Sequence, residues 1–123
     1  MQKKILIIDD DKELCEELAE FLIGEGIDVD FATTPEKGRE LILSKKYNGL
    51  LIDFKMPRQN GLEFIALMRK HLHDVKIYVV SASLSIDKLV EEQGLSALVT
   101  GIMKKPFSLD ELLLKINSIP IKP

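Results

Sequence analysis

Among 123 residues the chain has a single cysteine, Cys15, which excludes an internal disulfide and any metal site built from cysteines. Its place among Leu14, Leu18 and Leu22 fits a buried structural thiol. No apolar run approaches the roughly 20 residues that a membrane-crossing helix needs, so no membrane partner is expected. Lys3-Lys4 lead straight into a short apolar run closed by acids, which is not the layout of a signal peptide, and the expected location is the cytoplasm. There is no long basic run, and the net charge is −3, which argues against nucleic acid as a partner of this domain and toward a cation or a protein. No glycine-rich phosphate loop follows the first strand pattern, which weakens the nucleotide-binding versions of an α/β fold. The length suits one core, so residues 1–123 are expected to form a single domain.

What is present is a strict alternation. Lys3–Ile8 reads as a strand buried on both faces and ends in Asp9, Asp10 and Asp11. A helix follows, with Leu14, Leu18, Phe21 and Leu22 at helical spacing, until Gly24 and Gly26 stop it. One of the three acids can cap that helix; a cap needs only one, and the others fit a hard cation such as Mg²⁺ or a charged turn in solvent. Ile27, Val29 and Phe31 alternate with Asp28 and Asp30 in the manner of an edge strand. Thr34-Pro35 opens a second helix, whose thin stripe of Leu41 and Ile42 predicts weak packing. Leu50–Ile52 delivers Asp53, and Pro57 and Asn60-Gly61 close the strand. Leu62, Ile65, Met68 and Leu72 then predict a helix running to about His73, with His71 and His73 in a solvated last turn. Lys76–Val80 is a fourth strand ending in Ser81-Ala82-Ser83. Ile86, Leu89 and Val90 mark a helix interrupted near Gly94. Leu98–Met103 is a fifth strand ending in Lys104-Lys105-Pro106-Phe107. Ser108 to Glu111 reads as a capping box for a last amphipathic helix, followed by the proline-containing tail Ile119–Pro123.

Five strand patterns alternating with five helical ones predict right-handed βαβ crossovers and a doubly wound, parallel (βα)₅ sheet. In such a sheet the carboxyl ends of the strands share one edge, where ligands and chemistry collect. Asp9 and Asp10 stand there after the first strand, Asp53 after the third, Ser81 after the fourth and Lys105 after the fifth. Alone, Asp53 is ordinary turn chemistry. Together these residues offer carboxylates for a divalent cation, a hydroxyl and an ammonium for anionic oxygens, and a central carboxylate able to act as a nucleophile in phosphoryl transfer.

In Asp9-Asp10, Asp53, Met56-Pro57, Gly61, Ser81-Ala82 and Lys105-Pro106-Phe107, in that order and approximate spacing, the chain resembles the receiver domain of bacterial two-component response regulators. The resemblance implies a flavodoxin-like, five-stranded parallel sheet in the order 2-1-3-4-5. It implies that Asp53 accepts phosphate from the phosphohistidine of a histidine kinase or phosphotransfer protein and switches a downstream protein or output domain. It further implies Mg²⁺ held by Asp10, Asp53 and the main-chain carbonyl of Lys55, with Asp9 assisting. Ser81 and Lys105 would hold phosphoryl oxygens beside a small Ala82, Pro106 would follow a cis peptide bond, and Asp11 would remain a cap.

Three departures concern output. Ile102 stands where the family usually has an aromatic switch residue, Leu98-Val99 aligns with its usual Gly-Ala, and the stretch from Ser81 to Lys105 is slightly long. Two other readings differ in class: a pseudo-receiver acting as a constitutive interaction module, and a Mg²⁺-dependent phosphatase. The second lacks its usual acid two residues after the nucleophile, where Lys55 stands. The reading carried forward is a phosphorylatable receiver that is not itself an enzyme.

Overall fold

In the computed structural model, residues 2–121 are described; Met1 and the last two positions of the expected tail, Lys122 and Pro123, lie outside the described residues. Five strands alternate with five helices. They are β1 (Lys4–Ile8), α1 (Lys12–Gly24), β2 (Asp28–Ala32), α2 (Pro35–Ser44), β3 (Gly49–Asp53), α3 (Gly61–Leu67), β4 (Lys76–Ser81), α4 (Ile86–Glu92), β5 (Val99–Lys104) and α5 (Leu109–Asn117). All neighbouring strands are parallel, in the order β2-β1-β3-β4-β5, as expected. The three inner strands β1, β3 and β4 are almost wholly buried because helices cover both faces.

Alternate residues of each strand feed two cores. Ile5, Ile7, Leu51, Tyr78, Val80 and Met103 pack with Cys15, Leu18 and Leu22 of α1 and Leu112 and Ile116 of α5. Leu6, Ile8, Leu50, Ile52, Ile77 and Val79 pack on the opposite face with Leu62, Phe64 and Ile65 of α3 and Ile86 and Val90 of α4. As the thin stripe predicts, α2 buries only Pro35 and Gly38. Gly38 sits so near the sheet that a Cβ there would come within 2.7 Å of Ile8 Cδ1, so glycine is what admits the helix to this face.

Three boundaries differ from the sequence reading. The helix expected to reach His73 is α-helical only to Leu67, and a short 3₁₀ turn, Arg69–His71, replaces its end. Leu72 still reaches the core from that tighter turn, so the apolar spacing survives a change of helix type. The reciprocal capping box lies not at Ser108 but at Asn60 and Glu63, where each side chain accepts from the other's main-chain N–H at 2.8 and 2.9 Å. Ser108 caps α5 in one direction, accepting from Glu111 N–H at 3.1 Å. The third concerns β5. Ile77 pairs with Val99 but Tyr78 with Gly101, so Thr100 is an extra residue in a bulge, and its Oγ1 accepts the Ile77 N–H at 3.0 Å. The long stretch between Ser81 and Lys105 is absorbed there, and the register beyond it is regular to Ser81 opposite Lys104.

Candidate functional site

β1 ends by separating its three acids. Asp11 caps α1, its carboxylate accepting from Leu14 N–H at 3.1 Å. Asp9 turns inward and is buried; its Oδ1 accepts from Asp11 N–H at 2.9 Å, and the Cys15 thiol donates to its carbonyl at 3.3 Å. Asp10 is exposed. The same thiol is pushed up to about 12, first by burial and then by the Asp9 carboxylate, so it remains a neutral donor.

β3 delivers Asp53, only 7 % exposed, and the chain folds back over it: Gly61 N–H donates to Phe54 O at 2.8 Å. A Cβ at Gly61 would lie 2.5 Å from the Asp53 carbonyl oxygen, so this return requires glycine. β4 places Ser81 beside it, buried, with its Oγ accepting from Ser83 N–H at 3.0 Å and its carbonyl accepting from Lys105 N–H at 3.0 Å. β5 brings Lys105 itself, followed by a cis peptide bond to Pro106.

One carboxylate oxygen from each of Asp9, Asp10 and Asp53 lies within 4.8 Å of the other two. Lys105 Nζ stands 3.4 Å from Asp9 Oδ2 and 3.4 Å from Asp53 Oδ2, bridging two strand ends. Burial, then the Asp9 carboxylate, push Asp53 up to about 6, with the Lys105 ammonium opposing them. At Lys105 burial pulls the ammonium down, but Asp53 and Asp9 together outweigh it and hold it above its usual range. Three carboxylates against one ammonium leave surplus negative charge, and an all-oxygen donor set of this spacing suits a hard divalent cation. The edge can therefore hold a cation, present a nucleophilic carboxylate and meet an anionic oxygen with Lys105.

Of the residues singled out in the sequence, Asp9, Asp10, Asp53 and Lys105 meet directly, with Ser81 beside them; Ala82, exposed, follows Ser81. The Lys55 side chain is exposed and makes no ion pair among the described residues. Ile102 is not at this edge: it pairs with Val79 and is half-buried against the core under α3 and α4. Sequence reasoning missed Thr100 and Gly101. Gly101 gives room to the Tyr78 ring, 2.9 Å from where a Cβ would stand, and the only signal for the pair was the long Ser81–Lys105 spacing.

This doubly wound sheet with acids and a lysine at its carboxyl edge is that of a signalling receiver domain, and comparison with known proteins agrees. Residues 5–117 match the response regulator receiver domain family, and the chain belongs to it: it is a receiver domain of a two-component response regulator. It is 34% identical over 119 residues to response regulator MprA of Mycobacterium ulcerans, covering 97% of this chain and 50% of that protein. MprA of Mycobacterium tuberculosis is 33% identical over 97% of this chain and 51% of its own. The chain thus spans about half the length of these curated relatives. Among solved structures, a CheY-like receiver from Methanospirillum hungatei superposes with a TM-score of 0.86 at 29% identity, covering 96% of this chain and 93% of that one. Response regulator TrrA of Thermotoga maritima, in complex with Mg²⁺-BeF, gives 0.80 at 30% identity, covering 95% and 98%. No helix among the described residues is long and apolar enough to cross a membrane.

Proposed function

We propose that Asp53 is the phosphoacceptor, taking a phosphoryl group from the phosphohistidine of a histidine kinase or phosphotransfer protein in a Mg²⁺-dependent reaction. Residues 1–123 then act as one receiver domain that switches a downstream protein or output domain. The observation that carries this reading is Lys105 Nζ, held 3.4 Å from both Asp9 and Asp53 beside a third carboxylate. A constitutive interaction module would have no use for that arrangement, and its presence favours the phosphorylatable reading over the pseudo-receiver.

In the transfer, an Asp53 carboxylate oxygen attacks phosphorus in line with the departing imidazole. The O–P bond forms, the P–N bond breaks, and its electron pair stays on the imidazole nitrogen, which takes up a proton. Asp9, Asp10, Asp53 and the main-chain carbonyl of Lys55 fit the role of holding Mg²⁺, which when bound neutralises charge arriving with the phosphoryl group. That TrrA, of the same fold, is solved in complex with Mg²⁺-BeF supports Mg²⁺ as the cation. Lys105 pairs with one phosphoryl oxygen. Ser81 turns its hydroxyl from Ser83 N–H toward another, and the N–H of small Ala82 approaches alongside. At Ile102 a stiff, β-branched side chain offers less contact area than an aromatic, so coupling to the β5 face is weaker or runs through the Ser81–Ser85 loop.

Intact mass after incubation with a small phosphodonor tests the proposal. One added phosphoryl group, formed with Mg²⁺ and absent without it, is expected; an unmodified chain under both conditions would overturn it.

A further inference from the structure

A cleft of about 800 Å³ lies at the opposite edge of the sheet, where β1 and β3 begin and where α2 and the 3₁₀ turn end. Its volume is that of a small-molecule site. We propose that it binds a nucleoside phosphate, independently of the chemistry at Asp53.

Apolar and cationic groups both line it. Ile42 and Val75, half-buried, border the cleft with the core residues Leu50 and Leu72, an apolar lining against which a planar ring can lie. Lys46, Lys70 and His71 line it too, and none of their side chains has a hydrogen bond or ion pair among the described residues. Two acids line the cleft with them, Asp28, paired with Lys4 at 3.5 Å, and Asp74, 3.3 Å from His73 Nε2; Asp30, outside the lining, pairs with Lys45 at 3.2 Å and accepts from the Tyr47 hydroxyl at 2.7 Å. Asn48 accepts through Oδ1 from Lys4 N–H at 2.8 Å, and its half-buried amide nitrogen keeps its hydrogens for a ligand.

Cations at the ends of helices offset the helix dipole, and one at each end suffices for that. Here lysines of two chain segments, Lys46 and Lys70, converge on one concavity, in a chain whose net charge is −3. Neither acid of the lining is paired with Lys46 or Lys70, and an anion with several oxygens can meet both ammonium groups. Inorganic phosphate would use the cations and leave the apolar lining uncovered. A nucleoside phosphate uses both, with the Asn48 amide reading the edge of the base.

The test is amide chemical-shift titration of the Mg²⁺-free protein with ATP, GTP and inorganic phosphate, repeated on K46E/K70E. A saturable response to ATP or GTP at Tyr47–Asn48 and Lys70–Val75 is expected. It should weaken by roughly tenfold or more in the double variant, whose remaining spectrum is unchanged because both lysines are exposed. Absence of saturable shifts there up to millimolar nucleotide, equal affinity in K46E/K70E, or equal affinity for inorganic phosphate would each overturn the proposal.

Discussion

At the carboxyl edge, Asp9 and Asp53 are buried and share Lys105 across two strand ends, and burial lifts Asp53 to about 6. At the amino edge of the same sheet, the Lys4–Asp28 and Lys45–Asp30 pairs are solvated, their side chains a quarter to nearly a half exposed. The pairs are chemically alike, an ammonium against a carboxylate at comparable distance. What separates them is desolvation, which raises the Asp53 carboxyl in the first group and leaves the second to contribute at most about 1 kcal/mol per pair. The charges within each pair do not distinguish them; the burial of Asp9 and Asp53 does.

Lys105→Ala breaks the contrast most severely. It leaves two buried carboxylates without their cation, and phosphoryl transfer from a small donor should slow roughly a hundredfold, measured by the rate of mass gain. A change below twofold would place Lys105 outside the chemistry. Asp10→Ala removes one oxygen ligand of few, and Mg²⁺ affinity should fall by roughly tenfold or more in a metal titration. An unchanged titration would show that Asp10 is a solvated turn residue.

Asp53→Asn sharpens the comparison through stability. A carboxyl lifted from 3.8 to about 6 in the folded chain costs at most about 3 kcal/mol when ionised. The cost is full above the folded value and vanishes below the unfolded one. The metal-free parent should therefore gain stability as pH falls from about 6 toward 4, and Asp53→Asn should be more stable than the parent at neutral pH by about 1–3 kcal/mol in denaturant unfolding. Equal stability at neutral pH would mean that the edge stores no such cost. At the amino edge the sign reverses. Burial pushes Asp30 up, but the Tyr47 hydroxyl and Lys45 outweigh it and hold the carboxyl below its usual range. Its stabilisation is present above the unfolded value and lost as pH falls through the folded one. Asp30→Asn should cost about 0.5–1 kcal/mol at neutral pH, and a loss above 2 would upset the picture of a solvated pair.

The alternation of β-branched runs with helical stripes made a parallel sheet covered on both faces legible, because period-2 and period-3.6 patterns follow directly from which faces are covered; the strand order 2-1-3-4-5 was legible only through the resemblance to receiver domains. Asp9, Asp10, Asp53, Ser81 and Lys105 were legible as strand-end residues for the same reason. The bulge at Thr100 was not. A single inserted residue leaves the apolar pattern of β5 readable in either register, and only the hydroxyl at Ile77 N–H settles where the extra residue sits. Nor was the end of α3, since Leu72 can reach the core from a 3₁₀ turn as well as from an α-helix. The amino-edge cleft was invisible because Lys46, Lys70 and His71 come together from separate segments, each of which reads locally as a solvated turn.

Reductive trapping tests the central claim most directly: phosphorylate the Mg²⁺-loaded protein with a small donor, reduce the acyl phosphate with borohydride, and locate the converted residue by peptide sequencing. The account predicts one converted position, Asp53, and none in Asp53→Asn; conversion at Asp9 or Asp10, or none in the parent protein, would contradict it.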